Sequence, residues 1–328
     1  MSTQIGCPSH YGMLPMRVEL AKTLDQQSVR TGSHEQVASW LDKGGIAMGP
    51  CSSIRLLKHP HFEMAVPYGI SVKGSTPGAW IGYVGDQAEL REVVAERIDH
   101  LIGIFNHANI QKTKNLAHAV RFIFSEADRM ANNRPLVAPP LGFQSRMDSG
   151  TSLARVLYYL IFGVRAYEIN ERYQSRVSRL PGVLDLARGN DALLRRPQHR
   201  YILDLGEIWG RLTGLPFVFA VWQKNRKEVS PASRNRVVKA AGLASARMAV
   251  EPSSYLPEQI PLNSSGESID LGTYWKNMKY KLGPAELRGL LLFLQIAGQV
   301  EQDLISREQM MAKLLRWQDR HMEAQIVH

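Results

Sequence analysis

Cysteine is almost missing: two residues, Cys7 and Cys51, in 328. They form no CxxC pair, so neither a disulfide framework nor a zinc finger is indicated. His59 and His61 straddle Pro60, but a metal site needs further ligands at matching spacing, so this is a surface loop and no metal is assigned. Long apolar runs are also lacking. The longest, Gly289 to Gly298, is far too short to span a bilayer. Residues 1–8 have neither a basic region nor an extended apolar one, so a secretory signal is not expected and a reducing cytoplasm is the expected location. There is no internal repeat and no low-complexity tract. The formal charge is +10, yet no zinc-finger or RNA-binding signature accompanies it, so neither nucleic acid nor a membrane is an expected partner. Carboxylate pairs at catalytic spacing are missing too. His10 lies near Cys7 and Tyr11, but no third group is in sight to orient a nucleophile–base pair.

What is present is ordinary globular material. The chain is 44% hydrophobic and 21% charged, with enough length for two lobes. Its most legible stretch runs from Leu203 to Trp222. It reads as a short amphipathic helix, a turn at Thr213-Gly214-Leu215-Pro216 and an uncharged strand from Phe217, rich in aromatic and β-branched residues. Gly214 stops the helix and Pro216 prevents its continuation. The first 75 residues alternate strand and helix, with short strands at 4–8, 28–32 and 46–48 and a β region at 62–72 turning at Pro67-Tyr68-Gly69. That alternation implies a mostly parallel sheet and an α/β fold. Gly74 to Gly78 reads as a hinge. Two helical stretches follow, Glu89–Ile104 and Thr113–Ala131. Further elements are a strand over 135–142, a helix from Ser149 to Phe162, a β region from Gly182 closing at Asp191, and helices over 239–251, 284–300 and 306–325. The basic residues are scattered, densest at Arg195–Arg200 and Lys224–Lys227.

One chemical pattern recurs. Ser9, Ser52-Ser53 and Ser149-Gly150-Thr151-Ser152 all sit in small polar loops that lead into helices. Each loop is either a plain N-cap or an anion site, because hydroxyls and unpaired backbone N–H groups gather at a positive helix end. Loops at the carboxyl ends of parallel strands converge on one crevice. A ligand with two carboxylates suits such a crevice, and the positive net charge steers it there.

The string Asp204-Leu-Gly-Glu-Ile-Trp209, followed by Leu212-Thr-Gly-Leu-Pro-Phe-Val-Phe-Ala-Val-Trp222, closely resembles the signature of the chorismate dehydratase family, from the futalosine route to menaquinone. Ile5 to Pro15, Pro67 to Gly74, Ser149 to Leu157, Gly189 to Leu193 and Leu271 to Gly298 are similar to family segments in the same order. The resemblance implies a type II periplasmic-binding-protein-like fold, two lobes around a ligand cleft. Lobe I is expected over 1–77 and 201–328, lobe II over 78–200, with a helical insertion at about 89–134. The resemblance further implies a cofactor-free, metal-free lyase that removes water from chorismate to give 3-[(1-carboxyvinyl)oxy]benzoate. The expected partner is a small dicarboxylate. Ser9, Ser52, Ser53, Thr151 and Ser152 are expected to bind carboxylates, with Gly12 and Gly78 in the ligand-facing loops. Asp191 is expected to meet a ligand hydroxyl or orient its loop, and His10 is the candidate acid or base. The chain departs from the family at Gly12, Gly150 and around Gly78, within those same loops. Three alternatives remain: a non-catalytic binder of a small carboxylate, a related futalosine-pathway enzyme, and an interaction protein docking through the helical pair.

Overall fold

A computed structural model describes residues 4–24, 28–142, 148–166, 168–169, 182–225 and 229–301. The expected helix over 306–325 and part of the Lys224–Lys227 group lie outside them. The first segment contains β1 (Ile5–Pro8), α1 (Leu14–Thr23), β2 (Val29–Gly32), α2 (His34–Asp42), β3 (Met48–Ser52), α3 (Arg55–Lys58) and β4 (Phe62–Val72). The second contains β5 (Ala79–Tyr83), α4 (Ala88–His107), α5 (Leu116–Asn133), β6 (Leu141–Gly142), α6 (Ser149–Phe162), β7 (Glu168–Ile169), β8 (Leu184–Arg188), α7 (Gly189–Arg195) and β9 (Ile202–Asp204). The last contains α8 (Leu205–Thr213), β10 (Phe217–Asn225), α9 (Pro231–Val250), α10 (Leu271–Lys276), β11 (Met278–Lys281) and α11 (Pro284–Val300).

The strands form two sheets: a six-stranded one in the order β11-β4-β10-β3-β1-β2 and a five-stranded one in the order β7-β6-β8-β5-β9. This is a two-lobed α/β fold. The first sheet is not mostly parallel. β1, β2 and β3 run parallel, but β10 inserts between β3 and β4 and is antiparallel to both, and β11 is antiparallel to β4. Alternation along the first 75 residues could not show this, because β10 arrives from 150 residues further on. It explains the uncharged run instead, since a strand paired on both edges within a sheet packed on its faces is apolar throughout. Phe217, Val218, Val221 and Trp222 are all fully buried.

Local chemistry accounts for most boundaries. Asp204 caps α8 by accepting from Glu207 N, and Gly214 ends it in the left-handed region at φ +67°. Trp209, Phe217 and Phe293 then pack edge to face, joining α8, β10 and α11 in the larger core. Ser33 and Gln36 form a reciprocal capping box on α2. Three expected boundaries move. β3 begins at Met48 and runs through Gly49-Pro50-Cys51; its pairing with β1 stops at Ile5–Met48, so beyond that point Pro50 meets only β10. Pro67-Tyr68-Gly69 is not a turn but an irregularity within the continuous β4, where the register with β10 and β11 shifts. Only Leu141–Gly142 of the expected 135–142 strand is paired. No described helix is long and apolar enough to cross a membrane.

Candidate functional site

Three loops of the first sheet meet at one edge. Because β1, β2 and β3 are parallel, their carboxyl ends deliver Ser9-His10, Ser33-His34-Glu35 and Ser52 to the same place. The second sheet contributes Gly78, at the start of β5, and Arg188-Gly189-Asn190, at the end of β8; Ala79 pairs with Arg188, so both lie at one edge. Asp148 and Ser149 arrive at the start of α6. Together these residues line a cavity of about 470 Å³ with two unlike walls. One carries the hydroxyls and charges. The other is apolar, made by Ile70, Val72, Phe219, Ala220, Tyr274 and Met278.

The cations in the wall are already paired. Arg188 holds Asp148 at 2.7 Å, and Arg55 holds Asp42. The serine loops pair with one another. Ser52 Oγ lies 2.8 Å from Ser149 Oγ and accepts Ser149 N at 2.6 Å; Ser53 Oγ lies 2.8 Å from Ser149 Oγ; Ile54 N donates to Ser149 Oγ at 3.1 Å. Ser53 gives its proton to Val218 O, so Ser149 must donate to Ser53 and receive from Ser52. Every hydroxyl in the trio is thereby satisfied. A second bridge joins the sheets' loops, with Tyr11 N donating to Asn190 Oδ1 at 2.9 Å.

His10 is the opposite case. Both ring nitrogens are buried and neither has a hydrogen-bond partner. Its ring stacks on His34, with centroids 4.6 Å apart. Burial, with the His34 ring and Arg17 adding to it, pushes its pKa well below the ordinary histidine value. Burial also lowers His34. Both rings therefore favour the neutral form.

Of the residues expected in the site, Ser9, His10, Ser52 and Gly78 line the cavity. Gly12 lies just behind it: a Cβ there would sit 2.7 Å from the Tyr274 hydroxyl and 3.1 Å from the His10 ring. Four expected residues face elsewhere. Ser53 is fully buried in the trio. Thr151 donates both its backbone N–H and its hydroxyl to Asp148, the residue that caps α6. Ser152 is buried beside Glu301, where it helps keep that carboxylate ionised together with Arg155 and Lys58, and it does not line the cavity. Asp191 is in α7 rather than a β turn and is paired with Arg195 at 2.6 Å. A capping hydroxyl points back along its own helix, and a small polar loop in sequence does not tell which way. His34, Asp148, Arg188, Asn190, Phe219 and Tyr274 were not anticipated. Asn190, Phe219 and Tyr274 lay in segments with a family resemblance and Arg188 lay directly before one, but nothing in those segments said which side chains face the cleft. Among the described residues no group of three His, Cys, Asp or Glu is placed to hold a metal ion.

The profile of the menaquinone biosynthesis family matches residues 123–299. The chain belongs to that family. The match runs from α5 to the end of α11 and so takes in α6, Arg188, the 203–222 motif and Tyr274, but not the loops that carry His10 and Ser52. Among solved structures, a protein from Archaeoglobus fulgidus is similar at 10% identity, covering 90% of this chain and 96% of its own, with a TM-score of 0.56. The Candida albicans CA3427 product, described as having the generic periplasmic binding protein fold, is similar at 8% identity, covering 96% and 94%, with a TM-score of 0.53. A ligand-binding component of a Staphylococcus aureus ABC-type import system, with zinc bound, is similar at 9% identity, covering 93% and 94%, with a TM-score of 0.54. At these identities the likeness is one of fold: the family member has the periplasmic-binding-protein architecture.

Proposed function

We propose that this family member is a hydro-lyase that converts chorismate to 3-[(1-carboxyvinyl)oxy]benzoate in the cleft between its two sheets, within menaquinone biosynthesis by the futalosine route. One ring carbon loses its proton, the adjacent carbon loses its hydroxyl, water leaves and the ring becomes aromatic. Aromaticity supplies the driving force, so the protein has to orient the ring and handle one proton. The observation that carries the reading is His10, a buried neutral imidazole with both nitrogens unpartnered, in the wall of a cavity that also has an apolar side for a ring. His10, or a carboxylate of the substrate itself, takes the proton. Ser9, the N-terminal end of α6 and Arg188 face the carboxylates. Thr151 holds Asp148, which lines that end of the cleft, and Asp191 pairs with Arg195 outside the lining. Lobe boundaries near Gly78 and Asp204 fit the reading, with the lobes crossing at Ser75-Thr76 and again at Asp204, whose carboxylate accepts from both Ser75 and Thr76. A cytoplasmic location belongs to the same proposal.

A non-catalytic binder of a small carboxylate is the second reading. It is favoured by the absence of any carboxylate oriented on His10 among the described residues, and by cations that are already paired. Purified protein incubated with chorismate separates the two. The lyase gives the aromatic product in stoichiometric excess over protein. A binder raises the melting temperature and gives none. No product at high protein concentration removes the lyase reading.

A further inference from the structure

Tyr274 is the part of the cavity wall that neither the serine loops nor the 203–222 motif supplies. It stands on α10, which Asp270 caps by accepting from Thr273 N. The chain beside it is bonded to both sides of the cleft entrance. Trp275 Nε1 donates to Tyr11 O at 3.1 Å and the Tyr280 hydroxyl to Gly12 O at 2.8 Å. Asn277 Nδ2 donates to Ser75 O at 2.9 Å. Tyr274 is therefore fixed where the loop after β1 meets the crossover before β5.

Two glycines make room for it. A Cβ on Gly78 would lie 2.5 Å from Tyr274 Cε2, and a Cβ on Gly12 would lie 2.7 Å from the Tyr274 hydroxyl. Real side chains do not approach so closely, so the phenol occupies space that any other residue at 12 or 78 would claim. The same point beside Gly12 is 3.1 Å from His10 Cε1 and Nδ1, so hydroxyl and imidazole both press against the Gly12 backbone and lie near one another. Tyr274 is only 5% exposed, and its hydroxyl has no hydrogen bond to a described residue. Burial raises its ionisation far above the ordinary tyrosine range, which keeps the proton on. A protonated donor facing a cavity, with nothing to donate to, waits for an oxygen atom.

We propose that Tyr274 is a ligand-binding, specificity-determining residue. Its hydroxyl donates to an oxygen of a ring-containing carboxylic acid in the cavity, and its ring, wedged between Gly12 and Gly78, limits the length of ligand that fits. The proposal rests on the reading of the cleft as a site for such acids and adds the residue that measures them.

The test is calorimetric titration of chorismate, benzoate and 3-hydroxybenzoate into the full chain and its Y274F, Y274A, G78A and G78A/Y274A variants, with product assayed in each chorismate sample. Y274F is expected to keep the wild-type melting temperature and to bind chorismate about fivefold more weakly, the loss of one neutral hydrogen bond. G78A is expected to weaken binding in the wild-type background and to have no effect in Y274A, where the clash is gone. Wild-type affinity in Y274F, or an equal G78A effect in both backgrounds, overturns the proposal, as does failure of the wild type to bind any of the three acids. If chorismate binds without product while Y274F binds it more weakly, Tyr274 stands and the lyase reading falls. If product forms and Y274F binds as the wild type does, the lyase reading stands and Tyr274 falls.

Discussion

Two corners of one cavity are built on opposite principles. At the serine corner, Ser52, Ser53 and Ser149 spend every donor and acceptor on each other, on Ile54 N and on Val218 O. At the other corner, the His10 ring and the Tyr274 hydroxyl both lie against Gly12, and both His10 ring nitrogens are buried without a partner. Buried polar groups normally find partners, because leaving one unmade costs about 1–3 kcal/mol. Satisfaction thus marks the serine corner as a clasp between α6 and the loop after β3. The two unpartnered nitrogens of His10, in the cavity wall, are what the proposal assigns to a ligand. Hydroxyl-rich loops attract attention in a sequence, yet here the hydroxyls of the trio hold the molecule together, and the proposed chemistry is assigned to a corner with fewer of them.

If that contrast holds, variants should divide into those that change turnover and those that change stability. The largest effect is expected from His10→Ala, which should cut kcat for chorismate about a hundredfold or more, the usual share of a general base, while leaving the urea midpoint nearly unchanged. Equal turnover would return the proton transfer to the substrate carboxylate. Next comes Asp204, at the crossover beside Ser75 and Thr76. Burial raises its pKa to about 6 from the ordinary 3.8, against its hydrogen bonds from Glu207 N, Ser75 and Thr76. A raised carboxyl pKa means that the folded state prefers the proton. This contribution is complete below pH 4 and is lost as pH rises through 6, amounting to about 3 kcal/mol at most. Asp204→Asn should flatten that fall in urea denaturation curves taken from pH 4 to 7, and an unchanged slope would contradict it. Ser149→Ala should follow, lowering unfolding free energy by about 2 kcal/mol because Ile54 N and Ser53 lose their partner, with affinity for chorismate little altered. A large loss of affinity instead would make the clasp part of the ligand site. The smallest effect is one of position: with His10 and His34 held neutral by burial, the acid limb of the turnover profile should fall below the ordinary histidine value of 6.5. A limb at 6.5 or above would mean that an exposed histidine does the work.

The sequence was most legible where one residue dictates its own backbone. Gly214 and Pro216 fix the end of α8, and the uncharged run after them can only be an interior strand. It was misleading where a proline or glycine implied a turn that sheet pairing overrode, as at Pro50 in β3 and Pro67 in β4. The site followed the same division. Ser9, His10 and Ser52 were legible because each follows a parallel strand directly, and the carboxyl ends of such strands meet. Thr151, Ser152 and Asp191 were misplaced because a helical residue's direction depends on what its neighbours cap or pair. Tyr274 was invisible because nothing near it in the chain hints at Gly12 or Gly78, some 260 and 200 residues away. Tertiary contact alone brings them together.

The most direct measurement is a crystal structure of the protein with chorismate or 3-[(1-carboxyvinyl)oxy]benzoate bound. A ring lying against Phe219 and Met278, with an oxygen within hydrogen-bond distance of the Tyr274 hydroxyl, His10 beside the ring and the Ser52–Ser149–Ser53 contacts intact, is the expected result. A ligand seated among the three serines, with His10 and Tyr274 untouched, would contradict it.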